Sequence, residues 1–326
     1  MGGQDLPALL LNASDIEGYI DERELLEALR RALCAYATSQ QARGRRAYSA
    51  IPGATPHSVM VVFPGLVPGI PAYTVKVNAK LPRSIPSVRG LISLHDLDTG
   101  TLLAVMDSIA ITRIRTALVG ALAAEVLARS RIERVAVIGA GVQGRAQLRA
   151  LRLVREFRRV RVYDSIAARA AALAAELEPE LGADFSVAPS VGEAVAGADV
   201  VITATWATSP IVRSEMIAPG THITAIGADE PGKAELDAEL IRRAVFICDD
   251  EELAVEMGAL AGVRLGRDAV HATLGDVLAG NASGRTRDDQ VTIFGSVGLP
   301  CQDLPAAWMA YNRARVTQRT VFDFHS

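Results

Sequence analysis

The chain is poor in the residues that hold metals and staple small domains. Of its 326 residues three are cysteine, Cys34, Cys248 and Cys301, widely spaced and without a CxxC pair. Neither a zinc site nor a disulfide framework follows from that pattern, and the thiols are expected to be reduced, as in a cytoplasmic protein. The five histidines, His57, His95, His222, His271 and His325, include no HxxxH or HExxH spacing, so no metal centre is expected. An excess of charge is missing too: 34 Lys plus Arg stand against 37 Asp plus Glu, a formal net charge of −3. Such a chain has no electrostatic field to draw nucleic acid or a membrane surface. No apolar run approaches the ~18 residues that span a bilayer, and the opening MGGQDLPALLLNASD has neither a basic start nor a long apolar stretch. Myristoylation is set aside because Leu6 stands where Ser or Thr is wanted. A cytoplasmic location is expected.

What is plentiful is apolar material. Half of the residues are hydrophobic, enough for sizeable cores in two domains at ~150 residues per domain. An apolar run at 8–11 reads as a short strand, and Asp21 with Glu24 three residues later has the spacing of a capping box opening a helix. Leu25, Leu26, Leu29 and Leu33 form its apolar face. Short apolar runs punctuated by Gly and Pro follow at 58–63, 73–77, 90–94 and 102–106, the texture of a mainly antiparallel sheet. A long helix is expected over about 108–128. Beyond Arg131 the runs RVAVIG, RVRVYD, ADVVITAT, THITAIG and AVFICD alternate with Ala-rich helical stretches. That is the βαβ rhythm of a Rossmann-type doubly wound parallel sheet. The fold class is therefore α/β, with a domain boundary near 125: a discontinuous α+β domain at 1–125, joined by a C-terminal helix within 306–326, and a Rossmann domain at 126–305.

The sharpest motif is Gly139-Ala140-Gly141-Val142-Gln143-Gly144, between a strand run and a helical stretch. In a dinucleotide site the first glycine makes the tight turn, the second lets the backbone approach pyrophosphate, and the third packs helix against strand. The next strand run ends at Asp164, 25 residues past Gly139 and near the ~20 expected of a ribose-binding acid. A carboxylate there accepts from the 2′-hydroxyl of NAD and repels the 2′-phosphate of NADP, so NAD is the expected cofactor.

Six stretches together resemble the ornithine cyclodeaminase/mu-crystallin family, which includes alanine dehydrogenases and ketimine reductases: TVKVN (74–78), DTGTLLAVMDSIAITRIRTA (98–117), VAVIGAGVQG (135–144), VAGADVVITAT (195–205), PGTHITAIGADEPGKAELD (219–237) and TIFGSVGLPCQDL (292–304). The resemblance implies that Lys76 and Arg115 bind a substrate carboxylate, two charge-assisted contacts that orient an amino acid's Cα. Arg46 is the choice for a further cation from the cluster Arg43, Arg45 and Arg46. Asp229 matches the carboxylate placed near the substrate amine, a proton carrier for nitrogen, and Lys76 is counted with it as catalytic. Ser87, Thr205, Gly227, Lys233 and Ser296 fall at positions near the cofactor, beside Gly139, Gly141, Val142, Gln143, Gly144 and Asp164. A homodimer paired through N-terminal sheets is a further implication.

One departure bears on the reaction. Ornithine-specific members carry a Glu in the stretch that aligns with 60–64, and Val61 takes its place. Valine carries no proton and pairs with no ammonium, which counts against cyclisation of a diamino acid. The resulting expectation is hydride transfer between NAD and the Cα of an amino or imino acid. The alternatives are an ornithine or lysine cyclodeaminase that recycles its NAD, and a non-catalytic nucleotide-binding protein.

Overall fold

Two sheets of different character organise the chain, matching the change of sequence texture beyond Arg131. The computed structural model describes residues 7–39, 46–51, 58–81, 84, 87–317 and 320–322. By packing, Met1–Arg115 with Leu299–Ser326 make one unit and Thr116–Gly298 the other. The division falls within the helix Ser108–Leu127.

The first unit holds a seven-stranded sheet in the order Val321–Phe322, Ala8–Leu11, Leu102–Asp107, Val88–Asp96, Ala72–Lys80, Val59–Gly65, Ala47–Ala50. Neighbours are antiparallel except Ala8–Leu11 beside Leu102–Asp107, which is parallel. Asp21 caps the helix Glu22–Thr38 by accepting from the Glu24 amide at 2.9 Å, and the four predicted leucines are buried. The sequence reading misses a helix at Ala13–Tyr19, where Asn12 and Asp15 cap each other's backbone amides. With Ile16 its one buried residue, it shows no apolar period.

The strand Ala72–Lys80 inverts the usual allocation of faces. Thr74, Lys76, Asn78 and Lys80 are buried, while Tyr73, Val75, Val77 and Ala79 face the other way. Alternation read by hydrophobicity alone turns Tyr73, Val75 and Val77 inward. The helix Asp303–Ala314 packs on the polar inner face and supplies its partners.

The second unit is an eight-stranded sheet, parallel throughout, in the order Ala272–Thr273, Val245–Cys248, Thr292–Gly295, His222–Ala225, Val200–Thr203, Arg134–Ile138, Arg159–Tyr163, Asp184–Val187. Alternate residues of one strand serve two cores. Val135 and Val137 face the helices Val142–Val154 and Ala167–Leu181, whereas Ala136 and Ile138 face Leu240, Ile241 and Ala254. Helices on both faces make this a doubly wound sheet. The chain leaves Arg134–Ile138 toward Arg159–Tyr163 and later crosses back to Val200–Thr203 on its other side, so the switch point lies between Arg134–Ile138 and Val200–Thr203. Among the described residues no helix is long and apolar enough to cross a membrane, and no group of His, Cys, Asp or Glu is placed to hold a metal ion.

Candidate active site

At the switch point of the second unit the glycine turn has the geometry its three glycines require. Gly139 has φ +102°, and a Cβ on it would stand 2.5 Å from the Ala204 carbonyl in the loop after Val200–Thr203. A Cβ on Gly144 would meet the Gly139 carbonyl at 2.2 Å, so helix and turn touch backbone to backbone. At Gly141 a Cβ meets nothing within 4 Å. This open position is the N-cap of Val142–Val154, and no side chain caps the helix there. Its first amides therefore face outward as an anion cradle. Val142 is exposed, and the buried Gln143 Oε1 has no hydrogen-bond partner. Close packing at Gly144, space at Gly141 and uncapped amides fit a dinucleotide's pyrophosphate.

Asp164 lies at the end of Arg159–Tyr163 and bonds the turn itself: Oδ2 accepts from the Ala140 amide at 2.8 Å and Oδ1 from the Ile166 amide at 2.9 Å. Each oxygen keeps a further lone pair for a ribose hydroxyl.

Thr205 and Gly227 are joined by a residue the sequence reading passed over. Glu235, 1% exposed, accepts from the Thr205 amide and hydroxyl at 2.7 and 2.8 Å, the Thr203 hydroxyl at 2.7 Å and the Gly227 amide at 2.8 Å. One carboxylate thus ties together the loops after Val200–Thr203 and His222–Ala225. Burial raises its pKa, opposed by these four donors. Asp249 does the same for Ser296, accepting from its hydroxyl at 2.9 Å and from the Val297 and Gly298 amides. Asp229 pairs with Lys233 at 2.8 Å, and the Lys233 ammonium lies 3.8 Å from the centre of the Trp206 ring. Burial pulls the Lys233 pKa down, but Asp229, Glu230 and Glu235 outweigh it and hold the ammonium above its ordinary range.

In the first unit the structure brings Lys76 and Arg115 together on Asp303. Asp303 Oδ1 accepts from Lys76 Nζ and Arg115 Nε, both at 3.1 Å, and Oδ2 from Lys76 Nζ at 3.2 Å. Lys76 also donates to the Thr112 hydroxyl at 2.6 Å, and Arg115 Nη1 to Gln302 Oε1 at 2.5 Å. All four of Lys76, Arg115, Gln302 and Asp303 are buried. Burial lowers the Lys76 pKa to about 8, against the pull of Asp303. The Phe63 ring links a third cation to the group, with Arg46 4.5 Å and Lys76 5.5 Å from its centre. Phe63 pairs in register with Lys76 and Val61 with Asn78, so Val61 stands on the Lys76 face, one step along. Ser87 accepts the Leu81 amide at its carbonyl; Arg43 and Arg45 lie outside the described residues. The signal for Asp303, Glu235 and Asp249 was an acid set in an otherwise buried-type run, within stretches already singled out.

The profile of the ornithine cyclodeaminase/mu-crystallin family matches residues 8–318. Alanine dehydrogenase of Archaeoglobus fulgidus is 39% identical over 236 residues, 71% of this chain and 72% of that protein. The solved archaeal alanine dehydrogenase dimer with bound NAD superposes with a TM-score of 0.91 at 33% identity, covering 98% of this chain and 100% of that one. Delta(1)-pyrroline-2-carboxylate reductase of Thermococcus litoralis, solved with NADH and L-proline, gives 0.89 at 31% identity, covering 94% and 98%. A match that runs nearly end to end, with both sheets included, places this chain in the ornithine cyclodeaminase/mu-crystallin family.

Proposed function

We propose that the protein transfers hydride between NAD and the Cα of an amino or imino acid, as an alanine dehydrogenase-like or cyclic imine reductase-like enzyme. The observation that carries the reading is the meeting of Lys76 and Arg115 on one buried carboxylate, which leaves a net positive cluster in the first unit. Similarity to an NAD-bound alanine dehydrogenase and to a reductase solved with NADH and L-proline supports both cofactor and substrate class.

NAD supplies a reversible hydride acceptor in its nicotinamide ring. The glycine turn and the first amides of Val142–Val154 bind the pyrophosphate, and Asp164 selects the unphosphorylated ribose. Lys76 and Arg115 fix the substrate carboxylate and so present one face of Cα. An amine must lose a proton before hydride can depart, and an imine must gain one before hydride can add. Asp229, bonded to the Lys233 ammonium and about a quarter exposed, carries that proton in either direction. Water then adds to the acyclic imine to release ammonia and a keto acid; a cyclic imine is reduced directly. Val61 in place of a carboxylate on the Lys76 face argues against cyclodeaminase chemistry.

We place the protein in the cytoplasm, consistent with three free cysteines, and as a homodimer paired through the outer face of the first unit's sheet. The deciding experiment follows nicotinamide absorbance with alanine and other amino acids, keto acids with ammonia, and cyclic imines. Stoichiometric NADH from an amino acid is the expected result. Proline or pipecolate formed from ornithine or lysine without net NADH identifies a cyclodeaminase, and NADH binding with no turnover on the whole panel identifies a binding protein.

A further inference from the structure

We propose that Asp303 is a positioning residue for substrate binding: its carboxylate sets the spacing of the Lys76 ammonium and the Arg115 guanidinium and keeps the ammonium charged, so that the two grip an incoming carboxylate as one unit. This rests on the carboxylate-binding role given to those cations above.

Asp303 is 1% exposed and opens the helix Asp303–Ala314. A single oxygen, Oδ1, receives both cations at 3.1 Å. Neither cation can therefore shift without straining its bond to the other's partner. The adjoining residue fixes the guanidinium plane. Because a guanidinium only donates, the Gln302 atom 2.5 Å from Arg115 Nη1 is the amide oxygen. Its Nε2 is consequently turned away, and it is buried without a partner. That unspent donor is on the residue next to Asp303, within the same buried group. From behind, Thr112 accepts from Lys76 at 2.6 Å and donates to the Ser108 carbonyl at 2.6 Å, so the Lys76 ammonium is held from two sides.

Besides Asp303, the charges near Lys76 among the described residues are three cations. Arg115 faces it from the helix Ser108–Leu127, Lys80 lies on its own strand, and Arg46 shares the Phe63 ring. Asp303 is the acid that answers them. Burial, Arg115 and Lys80 all disfavour the ammonium, Asp303 alone favours it, and the balance lies at about 8. Removing Asp303 leaves buried cations facing each other, and Lys76 sheds its proton at lower pH.

The test uses propionate, a carboxylate with no amine to titrate, as an inhibitor competing with the amino acid. In the unaltered enzyme Ki is flat at neutral pH and rises about tenfold per pH unit above the Lys76 bend near 8. In Asp303→Asn the bend moves down by about one unit or more and Ki at pH 7.5 rises about threefold or more, while Asp303→Glu brings the bend back toward 8. A bend that stays in place in Asp303→Asn, with stability alone reduced, leaves Asp303 a structural residue and overturns the proposal. Absence of propionate inhibition in the unaltered enzyme removes instead the carboxylate-binding reading beneath it. Should Asp303→Asn fail to fold, Asp303→Glu decides: it keeps the charge but changes the reach, so a bend near 8 with propionate Ki raised several-fold at pH 7 supports the positioning role, and an unchanged Ki overturns it.

Discussion

Five acids do different work here because their surroundings differ. Glu235 and Asp249 are surrounded by donors and hold loops, and Asp303 is matched to cations. Asp229 is more open and bonded to a lysine. Its replacement by Asn keeps the shape and removes the proton acceptor. Turnover of the Asp229→Asn enzyme is expected to fall about 100-fold or more, the scale of general acid–base catalysis, with NADH affinity within a few-fold of the unaltered protein. Stopped-flow binding and steady-state rates check the two halves separately; retained turnover would end the assignment of the proton to Asp229. Asp164 makes a finer case, since it braces the Ala140 amide and is also the acid proposed to select the ribose. Asp164→Asn keeps an acceptor for one amide but loses the charge that repels a 2′-phosphate. NAD affinity should drop by about tenfold, roughly 1.4 kcal/mol, while NADP affinity rises. An unchanged NAD to NADP ratio in paired KM measurements would count against Asp164 as the selector.

Elements carry the next set of consequences. His222 sits wholly buried in the central strand His222–Ala225, its ring nitrogens 3.0 and 3.1 Å from the Thr292 and Thr224 hydroxyls. Burial, aided by Arg285 and Arg155, lowers its pKa to about 3. The unfolded chain binds a proton near 6.5 that the native strand refuses. Stability from this residue is therefore full above pH 6.5 and is lost as pH falls toward 3, at about 1.4 kcal/mol per unit. Between pH 6.5 and 4.5 the His222→Asn protein should lose about 2–3 kcal/mol less than the unaltered protein in denaturant titrations; parallel pH curves would show that the strand tolerates a charged ring. Glu235→Gln puts an amide nitrogen against bonded donors, and a loss of about 1–3 kcal/mol is expected together with weaker NAD binding.

These elements also show what could be read in advance. The glycine turn was legible because each glycine answers a local backbone demand, at Gly139 a positive φ and at Gly144 a close approach. Five of the seven strands of the first unit were legible as runs, with ends within three residues, whereas the short edge strands Ala47–Ala50 and Val321–Phe322 were not. Which face of Ala72–Lys80 points inward was not, since its inner face is polar for the sake of Lys76 and its outer face apolar. Asp303 and Glu235 stayed silent because their roles arise only when distant segments meet, across 227 residues for Lys76 with Asp303.

For the whole molecule that same inversion has a consequence for assembly. Met60, Val77 and Leu91 are 43%, 37% and 46% exposed on the outer face of the first unit's sheet, and Val77 pairs in register with both Val62 and Leu91. Isolated exposed apolar residues are ordinary, but a row of them crossing three neighbouring strands is the kind of surface proposed above to pair two copies. With formal net charge only −3, a second copy approaches without strong repulsion, and in a two-fold pair each substitution on this row enters the interface twice. Val77→Asp with Leu91→Asp sets like charges directly opposite within each sheet and again across the axis. The unaltered protein is expected to sediment as a dimer at micromolar concentration and the double variant as a monomer that still binds NADH through its second unit. A double variant that remains dimeric moves the interface elsewhere on the surface, and an unaltered protein that sediments as a monomer removes it.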